Sequence, residues 1–237
     1  MSKSKKNVID TEGMIASYGA DATRLFMLSD SPPEKDIEWT TNGIDGAARY
    51  LNKLWLLVSD FIAQKADLTK PNQFTDEELE LRRLTHKTIK NVSQDIEKFK
   101  YNRAVALLRE FSNGIEAKVS ASLNPWVIRE AFSTLLHLFH PLIPHITAEL
   151  YGMLYPGTCL HDVDWPEYSA ELVLDSEITI AVQVNGKLRG TIVVPTTLSD
   201  DDIKDRALSQ ENVVKLLSGK PHKKIIYVPG RLVNVVQ

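Results

Sequence analysis

Residues 178–194 read Ile-Thr-Ile-Ala-Val-Gln-Val-Asn-Gly-Lys-Leu-Arg-Gly-Thr-Ile-Val-Val, and along them the hydrophobic period of the chain becomes two. Isoleucine and valine alternate with smaller or polar residues up to Asn185-Gly186, a pair typical of the type I′ hairpin turn. Leu188, Ile192 and Val194 are expected to continue the apolar face on the returning strand. The stretch therefore predicts a β-hairpin that buries one face.

The residues after the hairpin complete a small domain. A helix is predicted from about Ser199 to Ser218, because a serine followed by three aspartates suits a helix start and Gly219 suits its end. Strands are predicted at about 223–228 and 231–236, on either side of Pro229-Gly230. The tail is thus predicted to be an α+β domain in the order ββαββ.

Before the hairpin, from about residue 41 to 155, the apolar residues recur with the helical period. Thr75 and Glu78 have the spacing of a capping box, and Asn124-Pro125 is typical of a helix start. Short connections favour an antiparallel bundle. The predicted fold class is multidomain and mainly α, with a helical bundle followed by the ββαββ domain. The predicted bounds are 1–39 for a connecting segment, 40–155 for the bundle, 156–176 for a linker and 177–237 for the tail.

The composition is typical of a soluble globular protein, with 43% hydrophobic and 25% charged residues in a chain of 237. No apolar run approaches the ~20 residues that a membrane span needs, and no secretory signal is evident, so no membrane partner is expected. The single cysteine, Cys159, excludes an internal disulfide and a cysteine-rich zinc site. The expected compartment is the cytoplasm.

The net charge of −3 hides an asymmetry along the chain. Residues 178–237 hold nine Lys/Arg and five Asp/Glu, whereas the other 177 hold 19 and 26. Basic residues beside the predicted turns and strand starts could form a positive rim for an RNA backbone. An ordinary solvated surface is the alternative. The candidates are Lys187 and Arg189, both predicted opposite Leu188, and Lys223, Lys224 and Arg231.

The predicted helices carry weaker candidates. Arg49 and Lys53 could contact RNA stems, although a solvated face is again the alternative. His137, His140 and His145 lack the further ligands of a metal site, so packing or capping is favoured. The chain has no nucleophile elbow and no glycine-rich phosphate loop. No metal site and no independent active site are predicted.

Three motifs lie near the beginning of the chain. The first is Met1-Ser-Lys-Ser-Lys-Lys-Asn7, in which lysines and serines suit a polyphosphate, although a disordered basic segment is the alternative. The second is Tyr18-Gly-Ala-Asp-Ala-Thr-Arg24, where Gly19 is expected to end one helix and Asp21 to cap the next. The third is Ser31-Pro-Pro-Glu-Lys-Asp-Ile-Glu-Trp39.

Together these motifs resemble the signature loop and the following segment of class I aminoacyl-tRNA synthetases. Residues 31–39, 182–189 and 226–234 resemble the bacterial leucyl-tRNA synthetase family, and the resemblance extends over essentially the whole chain. It implies that Lys3, with Ser2 and Ser4, holds the phosphates of ATP during amino-acid activation. It also implies that the tail reaches the outer corner of tRNA(Leu). The first lysine of the family's K-M-S-K-S motif is absent.

The resemblance implies the C-terminal part of a leucine–tRNA ligase, beginning inside the signature loop, in which residues 1–39 are the end of the catalytic domain and residues 40–155 and 177–237 are tRNA-binding domains. The rest of the catalytic domain and the editing domain are expected to be missing. ATP and Mg²⁺ are expected to serve the parent enzyme, and no cofactor is expected to bind the chain tightly. A monomer that binds tRNA without aminoacylating it is expected. The alternative is a free-standing RNA-binding or assembly protein derived from a synthetase, which the upstream reading frame would distinguish.

Overall fold

The computed structural model describes residues 9–37, 39–119, 123–174, 177–195, 198–217 and 223–236. Ser2, Lys3 and Ser4, the predicted ATP-binding residues, lie outside these ranges. The chain divides into two compact units after Val173, within the stretch predicted as a linker. The first unit is helical and the second contains the sheet. The predicted fold class, a helical bundle followed by a small α+β domain, is confirmed.

The helical unit is built from helices joined mostly by short connections. Their bounds are α1 Thr11–Tyr18, α2 Ala20–Asp30, α3 Thr41–Ala63, α4 Asp76–Glu97, α5 Tyr101–Val119, α6 Pro125–Phe139, α7 Pro144–Leu154 and the short α8 Ala170–Val173. A 3₁₀ turn, Leu160–Asp162, lies between α7 and α8.

Side-chain caps begin the two helices whose starts the sequence predicts most clearly. Thr75 accepts a hydrogen bond from the N–H of Glu78, and the Glu78 carboxylate accepts one from the N–H of Thr75 at 2.9 Å. Asn124 accepts a hydrogen bond from the N–H of Trp126, with Pro125 in the first helical position. Both predicted helix starts are confirmed. Each cap provides an acceptor for N–H groups that have no partner within the helix.

The core of the helical unit is aliphatic and aromatic. On α3, Ile44, Leu54 and Val58 are almost fully buried. The rings of Phe61 and Phe132 tilt against each other at 5.3 Å. Burial of each such side chain contributes roughly 1.5–3 kcal/mol, so the apolar stripes supply the main stabilisation of the bundle.

The segment after α7 packs against the bundle. Leu160 is buried, and the indole N–H of Trp165 donates to Ser93 Oγ at 2.8 Å. The N–H of Ser169 donates to His86 Nδ1 at 3.0 Å. Residues 156–173, most of the stretch predicted as a linker, therefore belong to the helical unit.

The second unit is a four-stranded sheet covered on one face by two helices. Its elements are β1 Glu177–Val184, β2 Lys187–Pro195, α9 Asp200–Leu208, α10 Glu211–Leu217, β3 Lys224–Val228 and β4 Leu232–Val236. The strand order is β2-β1-β4-β3, with β1 and β4 parallel and the other pairs antiparallel. Asn185 and Gly186 both have positive φ, 50° and 77°, as the predicted type I′ turn requires.

The single helix predicted over 199–218 is interrupted. The helix α9 ends at Leu208, and α10 begins at Glu211. At this break Gln210 Nε2 donates to the carbonyl of Thr191 at 2.7 Å, and Asn212 Nδ2 donates to the carbonyl of Arg189 at 3.1 Å. Because β2 is an edge strand, one of its sides pairs with none of the described strands. The polar side chains at the break satisfy these carbonyls and so cover part of the exposed sheet edge.

Candidate nucleic-acid interface

A β-bulge in β2 rearranges the predicted basic rim. Val182 pairs with Gly190, but the next residue, Gln183, pairs with Leu188, so Arg189 is an extra residue in β2. An extra residue reverses which side of the sheet each following side chain faces. Leu188 is consequently 62% exposed, and the prediction that it lies on the core face is wrong.

The two faces of the sheet differ in character. The covered face buries Ile180, Val182, Val184, Val194, Val233 and Val235 against α9 and α10. Across the other face the pairing aligns Leu188, Gln183, Asn234 and Ile226 in one row. Leu188 and Ile226 are exposed there, as are Val193 and Val228.

Three of the five predicted rim residues lie at one end of the sheet. Lys187 follows the β1–β2 turn, and the N–H of Asn185 in that turn donates to the carbonyl of Val235 at 2.9 Å. The N–H of Lys223 donates to the carbonyl of Val236, the residue after Val235, at 2.8 Å. Lys224 begins β3. Because β2 and β3 are the two edge strands, these lysines span about 14 Å, roughly three strand spacings.

The other two predicted residues are placed differently. Arg231 lies in the β3–β4 turn, at the opposite end of that hairpin, where its carbonyl accepts from the N–H of Ala181 at 3.0 Å. Arg189 is half-buried in the bulge, and its Nε has no hydrogen-bond partner among the described residues. The structure therefore groups Lys187, Lys223 and Lys224 but not all five.

The acidic residues of the second unit lie mostly on its helices, and Glu177, which begins β1, lies at the end of the sheet opposite Lys187. The strand segments 178–195 and 223–236 contain no acidic residue, whereas all five acids of residues 178–237 lie on α9 and α10. Two of these acids pair with lysines of the same helix, Asp201 with Lys204 at 2.8 Å and Glu211 with Lys215 at 2.5 Å. The hydrogen bond from Lys204 lowers the pKa of Asp201. The end of the sheet is thus positive without an acid of its own strands beside it.

The candidates on α3 lie in a surface of mixed charge. Lys53 Nζ is 2.6 Å from Glu116 Oε2 and 3.4 Å from Asn113 Oδ1, so much of its charge is balanced within the bundle. Arg49 is exposed and forms no ion pair within the described part of the chain. Both residues border a depression of about 480 Å³ that also includes Asp60.

The motif at 18–24 holds together the connection between α6 and α7. The Asp21 carboxylate accepts from the N–H of Ile146 at 2.7 Å and lies 2.8 Å from His145 Nδ1. Arg24 donates from Nε to the carbonyl of Leu142 at 3.0 Å and from Nη2 to that of Pro141 at 2.8 Å. The expectation that Asp21 caps its own helix is wrong, because its carboxylate caps α7. Sequence spacing carries no signal of partners more than 100 residues away.

The histidines act in packing and hydrogen bonding. His140 Nδ1 lies 2.9 Å from Thr147 Oγ1, and the ring of His137 meets that of Trp165 edge to face at 5.8 Å. Burial lowers the pKa of both histidines. In the described ranges, no cluster of three or more His, Cys, Asp or Glu could hold a metal ion, and no helix is long and apolar enough to cross a membrane.

Two family models match this chain. Residues 78–204, more than half of the chain, match the anticodon-binding domain of tRNA ligase. The chain belongs to this family. Residues 1–40 match the class I tRNA synthetases for I, L, M and V.

Relatives of this chain among curated proteins are leucine–tRNA ligases, as the resemblance predicted. The enzyme of Paramagnetospirillum magneticum is 46% identical over 237 residues, which cover all of this chain and 27% of that protein. The Rhodospirillum centenum enzyme is 45% identical and is covered to 29%. This chain thus spans less than a third of the length of these curated relatives.

Two solved structures are similar to this chain. The LeuRS of Agrobacterium radiobacter K84, in a ternary complex with tRNA and LeuAMS, matches all of the chain and 31% of its own length, with a TM-score of 0.88 and 29% identity. A Mycobacterium tuberculosis methionyl-tRNA synthetase matches 64% of the chain with a TM-score of 0.53 and 16% identity, a likeness of fold alone.

Proposed function

We propose that this chain is part of a leucine–tRNA ligase and contributes to the ATP-dependent attachment of leucine to tRNA(Leu). The observation that carries the proposal is the match of the entire chain, at 46% identity, to an enzyme of that name. The whole enzyme would act as a monomer in the cytoplasm with ATP and Mg²⁺. The chain alone would bind tRNA without charging it.

Lys3 is the proposed catalytic residue. Its ammonium group, with the hydroxyl groups of Ser2 and Ser4, would bind the phosphates of ATP and stabilise the charge that develops on pyrophosphate. The motif Met1–Ser4 and the match of residues 1–40 to the class I synthetases support this role.

The end of the sheet that carries Lys187, Lys223 and Lys224 is the proposed main contact with tRNA. Lys187, Lys223 and Lys224 are exposed at one end of the sheet, and the five acids of residues 178–237 lie on α9 and α10 instead. Such a row suits a phosphate backbone, since each lysine that neutralises a phosphate releases a counterion. Arg189 and Arg231 would add contacts outside the row, and Arg49 and Lys53 would contact a stem from α3.

Binding of a fluorescent tRNA(Leu) transcript to residues 1–237 tests the tRNA proposal. We expect the affinity to fall steeply with salt, and to fall at fixed salt when Lys187, Lys223 and Lys224 are replaced by glutamate. Absence of binding, or binding that ignores both salt and these substitutions, would remove the proposed interface.

Leucylation tests the whole-enzyme proposal separately. The product of the complete reading frame that contains residues 1–237 should form leucyl-tRNA from leucine, ATP and tRNA(Leu). If a folded product binds tRNA but never forms leucyl-tRNA, the free-standing RNA-binding protein becomes the better account.

A further inference from the structure

Phe99 occupies a backbone position that ordinarily belongs to glycine. It follows Lys98, the C-cap of α4, and has φ of 56°. The N–H of Phe99 donates to the carbonyl of Ile96 at 3.0 Å, and the N–H of Lys100 donates to that of Asp95 at 2.7 Å. This pair of bonds is the Schellman motif, whose left-handed residue is usually glycine because a Cβ is disfavoured there.

The Phe99 side chain gains little burial in return. The residue is 63% exposed, among the most exposed large hydrophobic residues of the described chain. Its ring meets that of Tyr101 edge to face, with 5.9 Å between the ring centroids. A strained backbone and an exposed ring together suggest that the ring has a partner outside the chain, since strain of this kind concentrates at functional sites.

The immediate surroundings of the ring are basic. Lys98 and Lys100 flank Phe99, are exposed, and form no ion pair within the residues that the structure describes. Arg103 lies one turn further on, where its Nε is 3.5 Å from Asp95 Oδ2. Glu97 is the exposed acid beside them. An aromatic ring between two available lysines favours a partner that is both planar and anionic.

We propose that Phe99 stacks on an unpaired nucleobase of the bound tRNA while Lys98 and Lys100 contact the adjoining phosphates. The inference rests on the proposed tRNA-binding function. Aromatic side chains provide stacking platforms for unpaired bases, and nearby lysines hold the strand that carries them. The Schellman hydrogen bonds fix the backbone of Phe99, so the ring is held at the α4–α5 turn before RNA binds.

Substitutions at Phe99 separate stacking from structural support. In the full chain, Phe99→Gly and Phe99→Asn suit the left-handed backbone but remove the ring, whereas Phe99→Trp keeps a stacking surface. We expect the first two to weaken binding of a tRNA(Leu) transcript by about tenfold or more and to change the melting temperature by less than about 2 °C. The Trp variant should retain the parent affinity.

Substitutions of the neighbouring charged residues should change the affinity for tRNA in opposite directions. Replacing Lys98 and Lys100 by alanine should weaken binding and make its salt dependence shallower, whereas Glu97→Gln should strengthen it. If the unsubstituted chain binds tRNA and the Gly, Asn and Trp variants bind equally well, Phe99 is not a stacking residue, although the proposed function stands. A fall in melting temperature above about 4 °C for Phe99→Gly would make the ring structural. If the unsubstituted chain fails to bind tRNA, both the stacking proposal and the proposed tRNA interface fail, and leucylation then decides the whole-enzyme proposal.

Discussion

Asp21 Oδ1 lies 2.8 Å from Nδ1 of His145, a residue 124 positions later in the chain. The same carboxylate accepts from the N–H of Ile146 at 2.7 Å. The helix α7 begins after Ile143, whose side chain offers no acceptor, so Asp21 of α2 supplies the cap that α7 lacks. Asp21 is only 7% exposed, so water competes little for these hydrogen bonds. A motif near the beginning of the chain therefore stabilises α7.

Replacing Asp21 by alanine should destabilise the helical unit. The substitution leaves first-turn N–H groups of α7 without an acceptor, which typically costs about 1–2 kcal/mol. Urea unfolding followed by tryptophan fluorescence measures the loss, because all four tryptophans, at 39, 55, 126 and 165, lie in this unit. Asp21→Asn keeps one acceptor oxygen and should lose less. Equal free energies of unfolding for all three proteins would contradict the proposed cap.

Glu78 joins the starts of two helices and should be similarly sensitive. Its carboxylate accepts from the N–H of Thr75 within the capping box and from the N–H of Asn124, the N-cap of α6, each at 2.9 Å. Glu78→Ala should lower the free energy of unfolding by about 1–3 kcal/mol, because two N–H groups lose their acceptor. Glu78→Gln, which keeps one acceptor oxygen, is the matched control. A loss no larger for Ala than for Gln would show that the second bond adds nothing.

Acidification should destabilise the helical unit partly through His86. Burial lowers the pKa of this histidine, and the nearby Glu130 only partly opposes the effect. A lowered pKa means that the unfolded chain binds the proton more readily, so stability is full above the ordinary pKa of about 6.5 and declines as pH falls below it. Protonation of Nδ1 would also break the bond from Ser169.

Unfolding measured between pH 8 and pH 5 tests this expectation. His86→Gln should make the decline below pH 6.5 shallower, and His161→Gln controls for the loss of a histidine from an exposed position. An identical pH profile in the parent and the His86 variant would exclude His86 as a contributor.

Lys3→Ala, made in the complete ligase, should depress leucine-dependent ATP–pyrophosphate exchange by about 10²–10³ while tRNA binding stays unchanged. Loss of one donor to developing transition-state charge typically has this effect. Exchange kinetics and tRNA titration on the same preparation make the comparison. Normal pyrophosphate exchange with weakened tRNA binding would show that Lys3 acts in tRNA binding and not in leucine activation.

Alanine at Lys187, Lys223 and Lys224 should weaken tRNA binding and make its salt dependence shallower. Each lost phosphate contact should reduce the slope of log affinity against log salt by about 0.7–0.9. Arg206→Ala removes an exposed positive charge from the acid-rich helix α9 and serves as the control. A slope that changes as much for Arg206 as for each lysine would show a general charge effect instead of a contact.

The sequence alone determined the local features. Thr75 and Glu78, Asn124-Pro125 and Asn185-Gly186 each act through hydrogen bonds or backbone preferences within a few residues, so their spacing predicts a capping box, a helix start and a hairpin turn. The hydrophobic period distinguishes the helical bundle from the sheet because it, too, is a local property: it indicates which side of a helix or strand is buried. The family resemblance likewise rests on short motifs of the sequence.

Only the tertiary structure decided what depends on partners distant in the chain. Asp21 has the features of a cap for its own helix, yet its carboxylate meets the N–H groups of α7 because packing places α7 beside it. Arg189 becomes an extra residue only when β2 pairs with β1, and that pairing turns Leu188 outward. Lys187 and Lys223 share one end of the sheet because β4 inserts beside β1. Strand order and helix contacts arise from burial of the whole core, which no single stretch of sequence encodes.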